Sequence, residues 1–343
     1  MVRKSSTQPL IGVTMGDPAG IGPEIILKAL ATRKPLRWCR PILFGEPELF
    51  ARQAKRFAPR LRFHAIARAD DLLAAPGRIP LVPIRSAHRL PPPGRISAAG
   101  GRLAARAIEE AAAWALAGHI DAITTAPIHK VGLLRAGYPF EGHTEFLAAL
   151  ADAPNVGMLM VGGGLRIMLA TTHVALRELP KRLTTEKVLT AIRLTARVMA
   201  DWFGRPEAAI GVAGLNPHAG DHGRFGDEEA RIIAPAIARA RRAGIRASGP
   251  WPADTLFHRA HVGEFDATVA IYHDQALIPI KLLAFGQAVN VTAGLPFVRT
   301  SVDHGTAYDI AGKGVADPGS LLEALSLATE LANRTRGSKK TKI

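Results

Sequence analysis

Short apolar runs and amphipathic helical patterns alternate along most of this chain. The run "LIGVTM" (10–15) precedes "GPEIILKALATR" (22–33), a helical pattern with Pro23 and Glu24 in its first turn. Further along, "AGGRLAARAIEEAAAWALAG" (99–118) has the periodicity of an amphipathic helix, and the apolar run "IDAITTAP" (120–127) follows it directly. This alternation predicts an α/β fold with a largely parallel sheet and helices on its faces.

The second half of the chain continues the alternation. Strands are predicted within 164–173, 207–220, 265–274 and 287–296, and helices within 184–202 and 227–243. No fixed-period repeat is visible, which argues against a solenoid or a propeller. In proteins with an open, largely parallel α/β sheet, ligands bind beyond the carboxyl ends of the strands. Polar residues that follow the apolar runs are therefore the first candidates for a functional site.

Three histidines stand at such places. His173 ends "RIMLATTH", His218 closes "GVAGLNPH" and His273 ends "TVAIYH". A parallel sheet would bring all three to one rim, where three imidazoles could bind a divalent metal and leave positions open for a substrate. The alternative is that each histidine makes a local hydrogen bond at the end of its own strand.

Composition and charge narrow the function classes. The chain has 343 residues, of which 48% are hydrophobic and 21% charged, as in soluble globular proteins. Its net charge of +15 could attract nucleic acid or an anionic small molecule. The arginines are spread through helical patterns such as 191–205 and 231–246, and only 6% of residues are aromatic. A solvated basic surface is therefore favoured over nucleic-acid binding.

A single cysteine, Cys39, excludes an internal disulfide framework and favours a reducing compartment. The first twenty residues lack the pattern of a signal peptide, and no apolar stretch is long enough to span a bilayer. The prediction is a cytoplasmic protein with no membrane partner.

Other polar residues stand alone in apolar or loop settings, and each has an ordinary structural explanation. Thr144, beside His143 in "EGHTEF", has the position of a helix cap, and Asp254 in "GPWPADTLF" that of a turn residue. Lys281 ends "LIPIK", where an exposed lysine is common. The loop "GDPAGIGPE" precedes a helix and could bind an anion, although it has neither a dinucleotide fingerprint nor a Walker lysine.

Eight motifs together resemble the 4-hydroxythreonine-4-phosphate dehydrogenase family, in order and spacing, from about residue 10 to about residue 330. They are "GVTMGDPAGIGPE", "TAPIHK", "GHTEFL", "TTHVALRELP", "GLNPHAGDHGRFGDEE", "GPWPADTLF", "YHDQALIPIK" and "NVTAGLPFVRTSVDHGTAYDIAGKG". The resemblance implies the isocitrate/isopropylmalate dehydrogenase-like fold, with two α/β domains and an active-site cleft between them. Residues 1–130 with 285–343 would form the cofactor-side domain, and residues 131–284 would carry the metal ligands and the dimer contacts.

The resemblance also implies roles for individual residues. The metal ligands would be His173, His218 and His273, and the substrate contacts His143, Thr144, Lys281, Asn290 and Arg299. Lys281, Asp254 and Asp274 would act as catalytic groups close to the reacting atoms. The stretch 303–314 is similar to the loop that holds the adenosine of the dinucleotide in the wider superfamily, which makes His304, Gly305, Thr306 and Asp309 the candidate cofactor contacts.

The implied activity is an NAD-dependent oxidation, with NADP also possible, at one divalent metal (Zn, Co, Ni or Mg) per site. A secondary hydroxyl of an anionic substrate would become a 3-oxo acid that decarboxylates. The substrate would be 4-phosphohydroxythreonine or a 4-phospho-threonate-like compound; an alternative is the cis-dihydrodiol of terephthalate in aromatic catabolism. A homodimer would share each active site across its interface. An alternative of another class is a catalytically inactive metabolite-binding relative.

The sequence departs from the usual pattern at "KLLAFG" (281–286) and "GDHGRFG" (220–226), which leaves the choice of substrate open. Asn290 and Arg299 could bind either a phosphate or a carboxylate, because guanidinium groups bind both in bidentate fashion.

Overall fold

The computed structural model describes residues 8–340 except residues 74 and 88. The chain forms two compact units: one contains the described residues up to Pro154 and those from Leu295 onward, and the other is Asn155–Gly294. The sequence-based prediction places these two boundaries at 130/131 and 284/285, whereas the structure has them at 154/155 and 294/295. Residues 131–154 stay with the first unit because their two helices pack on the long helix at Ala98–Leu116.

The strands of the described residues are β1 Leu10–Thr14, β2 Arg40–Gly45, β3 Phe63–Ala65, β4 Ile79–Pro83, β5 Ala122–Thr125, β6 Gly157–Gly162, β7 Leu165–Leu169, β8 Ile210–Ala213, β9 Ala247–Trp251, β10 Ala267–Ala270, β11 Val289–Ala293 and β12 Val298–Val302. The α-helices are α1 Gly22–Ala31, α2 Lys34–Trp38, α3 Pro47–Phe57, α4 Ala98–Leu116, α5 Lys130–Arg135, α6 His143–Leu150, α7 Leu179–Arg182, α8 Thr185–Asp201, α9 Ala234–Arg242, α10 Ala253–His261, α11 His273–Ala284 and α12 Gly319–Lys340. Short 3₁₀ turns lie at Ala69–Leu73, Leu176–Glu178 and Pro217–Gly223, and a π-helical turn at Glu229–Ile233.

The first unit contains a parallel sheet in the order β3-β4-β2-β1-β5-β12. All five residues of β1 are buried, as expected for a strand covered by helices on both faces. Two helices of this unit begin at residues that favour a helix start. Pro23 is in the first turn of α1, and the Ser97 hydroxyl caps α4 by accepting the N–H of Gly100.

The second unit contains a sheet in the order β11-β6-β7-β10-β8-β9. β7, β10, β8 and β9 are parallel, whereas β6 runs antiparallel to both β11 and β7. The turn from β6 to β7 is made by Gly163 and Gly164, both with positive φ, which suits a tight two-residue hairpin. The α/β fold and the largely parallel pairing are confirmed, and β6 is a strand that the sequence patterns do not predict.

Within the described part of the chain, no helix combines the length and the apolar character needed to cross a membrane.

One close helix contact in the first unit depends on the absence of a side chain. A Cβ atom on Gly101 of α4 would overlap the carbonyl group of Gly132 in α5. We expect Gly101→Ala to lower the free energy of unfolding by about 1–3 kcal/mol, because backbone would have to move to make room. Gly337→Ala in α12 is the matched control: apart from its chain neighbours and its own helix backbone, the described residues place no atom within 4 Å of the added methyl group. That variant should gain up to about 1 kcal/mol from helix propensity. Urea denaturation measures both, and equal effects would contradict the tight contact.

Candidate active site

The three histidines of the predicted metal site follow neighbouring strands of the second unit. β7 ends at Leu169 before His173, β8 ends at Ala213 before His218, and β10 ends at Ala270 before His273. His273 is the first residue of α11 and not the last residue of a strand. All three are therefore on the rim formed by the carboxyl ends of parallel strands, where ligands of such sheets bind.

Buried side chains tie these loops to one another. The Thr171 hydroxyl donates to the carbonyl oxygen of Ile271 at 2.7 Å, which joins the loops after β7 and β10. Gln275 accepts the N–H of Ile271 through Oε1 at 2.7 Å and donates from Nε2 to the carbonyl of Gly214 at 2.8 Å. The amide of Gln275 therefore joins the loops after β10 and β8.

The structure brings two of the histidines together. The ring centroids of His173 and His273 are 5.6 Å apart. Nδ1 of His273 lies 2.7 Å from Oδ1 of Asp274. This contact orients the ring and leaves Nε2 as the ring nitrogen that can bind a metal ion. This pairing of a carboxylate with an imidazole is common next to metal ions.

His218 lies in an unusual backbone segment. Residues 218–222 all have left-handed φ angles, and only Gly220 among them is a glycine. Such conformations cost roughly 1 kcal/mol or more for each non-glycine residue, so the surrounding structure must hold them. Buried Glu229 does so by accepting the N–H groups of Leu215 and Asn216, both at 2.7 Å, just before the segment.

The described residues of one chain contain no group of three or more His, Cys, Asp or Glu side chains arranged to hold a metal ion. Two imidazoles converge and His218 does not join them. The fit to a three-imidazole centre is thus partial within one chain.

The two candidate catalytic carboxylates share a cavity. Asp254, at the start of α10, and Asp274, at the start of α11, both line a space of about 450 Å³ whose other walls include Tyr272 and Gln275. Lys281 is also on α11, with its Nζ 5.6 Å from the centroid of the Phe285 ring. On β11, Oδ1 of Asn290 is buried and accepts no hydrogen bond from residues 8–340 outside 74 and 88, so this predicted substrate contact has an unused acceptor.

In the first unit, His143 and Arg299 are near neighbours. Arg299 on β12 is 1% exposed, and its Nη2 donates to the Thr125 hydroxyl at 2.6 Å. Burial lowers the pKa of Arg299 to about 9, with Glu145 opposing the shift, so the guanidinium is charged at neutral pH. Burial and the positive charge of Arg299 hold the pKa of His143 well below its usual range, so this imidazole is neutral.

This pair can bind an anion. Nε2 of His143 is buried and has no hydrogen-bond partner among the described residues, and Thr144 follows in the first turn of α6. A buried guanidinium beside a neutral imidazole with a free ring nitrogen is a suitable environment for a phosphate or a carboxylate.

The predicted cofactor residues lie in the segment after β12. Thr306 is buried, and its carbonyl accepts the N–H of Ile21 at 3.0 Å, whereas Gly305 and Asp309 are exposed. Nδ1 of His304 is 3.0 Å from the carbonyl oxygen of Gly305, and Nε2 of His304 is buried with no hydrogen-bond partner among the residues that the structure describes. The exposed Asp309 carboxylate and the Nε2 of His304 are therefore available to a ligand.

A buried carboxylate fixes this segment. The Tyr308 hydroxyl donates to Oδ2 of Asp17 at 2.8 Å, and the N–H of Ala19 donates to Oδ1 at 2.9 Å. The His129 ring stacks on Tyr308 at 5.2 Å between centroids. Burial raises the pKa of Asp17, and these two hydrogen bonds oppose the shift. Asp17 stands in the "GDPAGIGPE" loop, where its carboxylate has this structural role.

The family profile described as "Pyridoxal phosphate biosynthetic protein PdxA" matches residues 37–328. This chain belongs to that family. It is 48% identical over 337 residues to a 4-hydroxythreonine-4-phosphate dehydrogenase of Geobacter metallireducens, covering 97% of this chain and 98% of the relative. It is 44% identical over 325 residues to a D-threonate 4-phosphate dehydrogenase of Salmonella typhimurium, covering 94% and 98%.

Solved structures agree with this membership. The crystal structure of a 4-hydroxythreonine-4-phosphate dehydrogenase from Klebsiella pneumoniae has a TM-score of 0.87 and 42% identity, with 95% of this chain and 100% of that chain covered. A terephthalate 1,2-cis-dihydrodiol dehydrogenase from Burkholderia xenovorans has a TM-score of 0.65 and 32% identity, with 94% and 98% covered. These relatives are dehydrogenases, so the family resemblance is confirmed and oxidoreductase chemistry is supported.

Sequence reasoning missed several residues that shape these sites. Buried Gln275 and Glu229 bond to backbone groups of the loop after β8. The Tyr308 hydroxyl bonds to the Asp17 carboxylate, 291 positions away in the chain. The available signal was a polar residue inside a recognised motif, as in "YHDQAL" and "GTAYDIAG". A motif of this kind marks the polar residue as a candidate but does not identify its hydrogen-bond partner.

We expect Tyr308→Phe to lower the free energy of unfolding by about 1–3 kcal/mol at neutral pH, because the buried Asp17 carboxylate loses a donor. Asp17 has a raised pKa in the folded state, so its protonated form is favoured there and stability falls as pH rises through that pKa. The variant raises the pKa further, so its deficit should shrink as pH falls toward about 4.

Thermal or urea unfolding across this pH range measures the effect. Tyr272→Phe is the control, because its hydroxyl has no hydrogen-bond partner among the described residues. A deficit in Tyr308→Phe that does not change with pH would contradict the coupling to Asp17.

Proposed function

We propose that this chain oxidises the secondary hydroxyl of a phosphorylated hydroxy acid, either 4-phosphohydroxythreonine or 4-phospho-D-threonate, with NAD or NADP as hydride acceptor. The observation that carries the proposal is the buried, charged Arg299 beside the neutral His143 in a chain of this family. The relatives that act on these two phosphorylated compounds are 48% and 44% identical to this chain, against 32% for the terephthalate dihydrodiol dehydrogenase. Phosphorylated substrates are therefore favoured over the aromatic diol.

The proposed substrate contacts are assigned one residue at a time, each from its own chemistry. Arg299 supplies the charge that binds the phosphate or carboxylate, and His143 supplies a neutral ring nitrogen for a further hydrogen bond. Thr144 adds a hydroxyl group from the same helix turn. Asn290 offers its unused amide oxygen to a substrate hydroxyl.

Proton transfer is assigned to the second unit. Asp254 and Asp274 line one cavity, and one of them or Lys281 would accept the proton of the substrate hydroxyl. The nicotinamide, when bound, accepts the hydride from the carbon atom that carries this hydroxyl. The product would be a 3-oxo acid, which loses carbon dioxide readily, and we include decarboxylation in the proposal.

We also propose that His173, His218 and His273 supply ligands to a divalent metal, which would lower the pKa of the substrate hydroxyl. Because two of these rings converge within one chain, a second copy of the chain would complete the coordination. A large apolar surface on and after α11 supports a homodimer: Ile278, Leu282 and Phe285 are 67%, 83% and 81% exposed. The proposed enzyme is cytoplasmic and binds no nucleic acid.

The test of the activity is NADH or NADPH formation, followed by absorbance, with 4-phosphohydroxythreonine, 4-phospho-D-threonate, unphosphorylated D-threonate and the terephthalate cis-dihydrodiol. Turnover is expected with one or both phosphorylated compounds. Turnover with the aromatic diol alone would replace the proposal by that alternative. No turnover with any of them, together with retained binding of a phosphorylated acid, would indicate a catalytically inactive metabolite-binding protein.

Arg299→Gln should reduce kcat/KM for the phosphorylated substrate by about 10- to 100-fold, mainly through KM, because one charge-assisted contact is lost. Arg299→Lys keeps the charge but loses the planar pair of donors, and should give an intermediate value. The control is Arg242→Gln on the exposed surface of α9. An unchanged KM in Arg299→Gln would remove this residue from substrate binding.

Metal content tests the proposed ligands independently of activity. We expect about one divalent ion per purified chain by elemental analysis, and a loss of most of it in His273→Ala and in His218→Ala. His258→Ala is the control, because His258 lines the neighbouring cavity but is not a predicted ligand. Equal metal content in all three variants would contradict the assignment.

A further inference from the structure

A basic groove of about 1200 Å³ lies in the first unit, apart from the residues assigned above. Its walls are formed by residues of α3, of the segments 85–86 and 89–97, and by Gly312. Its volume is that of a site for a molecule larger than a three- or four-carbon acid.

The groove has a strong excess of positive charge. Five guanidinium groups line it, against two carboxylates: Arg52, Arg56, Arg85, Arg89 and Arg95, with Glu46 and Glu48. The carboxylate of Glu46 is buried and already accepts the N–H groups of Ser86 and Glu48.

Within the part of the chain that the structure describes, one of the five guanidinium groups is bound to the protein. Arg56 donates to the carbonyl oxygens of Gly312 and Lys313, at 3.0 and 2.9 Å. The side chains of Arg52, Arg85, Arg89 and Arg95 have no hydrogen-bond or ion-pair partner among the described residues. Like charges gathered in one concave surface repel each other, and an anion bound between them would remove that repulsion.

The groove also offers a polar and an apolar contact. Gln53 lines the groove, and its buried Oε1 has no hydrogen-bond partner in the described part of the chain. Leu90, the three prolines 91–93 and Phe57 form an apolar part of the wall. A ligand that carries several phosphate groups and one planar apolar group matches both parts, and a nucleotide has this composition.

We propose that this groove binds the phosphate groups of the dinucleotide cofactor. The inference rests on the proposed function, because it takes the nucleotide to be the hydride acceptor. The link is Gly312, which belongs to the segment after β12 that contains His304 and Asp309 and is held in place by Arg56. Guanidinium groups bind phosphate oxygens in bidentate fashion, so two or more arginines of the groove can hold the pyrophosphate.

The test is calorimetric titration of the full-length protein with NADH, NADPH and ADP, which requires no turnover. Arg52→Gln and Arg95→Gln should each weaken the binding of all three by about tenfold, and the double variant by about a hundredfold. Arg60→Gln is the matched control, since Arg60 is exposed just beyond α3 and does not line the groove. Its affinities should stay within about twofold of wild type.

Two results would overturn the inference. Unchanged affinities in the double variant would show that the groove does not bind nucleotide phosphates. Weaker ADP binding with unchanged NADH binding, and no competition between the two, would assign the groove to a free nucleotide instead of the cofactor. Failure of the proposed function is distinguishable: dinucleotide binding that depends on the groove, without oxidation of the phosphorylated acids, would reject the activity and retain this site.

Discussion

The two hydrogen bonds of the Gln275 amide are the constraint on which the second unit's candidate site depends. This side chain is buried between the ends of β8 and β10, where the ladder of strand hydrogen bonds stops. It satisfies the N–H of Ile271 and the carbonyl of Gly214, which would otherwise be buried without partners at a cost of about 1–3 kcal/mol each. Thr171 extends the same connection to the loop after β7. The loops that carry His173, His218 and His273 are thus one hydrogen-bonded set.

Strain in this set is concentrated at His218. Five consecutive left-handed residues are unfavourable for an L-amino-acid chain, and buried Glu229 holds the backbone on the side where they begin. Strained backbone that is held this firmly is frequent at functional sites, because the protein structure then sets the position of a side chain before a ligand arrives. The proposed metal ligands follow this logic: His273 is oriented by Asp274, and His218 by its backbone.

The first unit places isolated charges in buried positions and holds each by hydrogen bonds. Arg299 is held by Thr125, and Asp17 by Ala19 and Tyr308. The two have different consequences. Asp17 has its hydrogen bonds satisfied within the protein and serves to hold the segment around Tyr308. Arg299 has a neutral imidazole beside it with an unused ring nitrogen, so this part of the unit is suited to an external anion.

The sequence by itself determined the alternation of strands and helices, the family and the candidate site residues, because apolar periodicity, capping residues and motifs depend on neighbours in the chain. The α/β prediction is confirmed, and histidines after apolar runs do lie on one rim. Only the tertiary structure decided that β6 runs antiparallel, that Arg299 is fully buried beside His143, and that one chain brings together two of the three histidines. The physical reason is distance along the chain: Tyr308 and Asp17 are separated by 291 positions. Burial, pKa and hydrogen-bond partner follow from which strands become neighbours, which no local pattern contains.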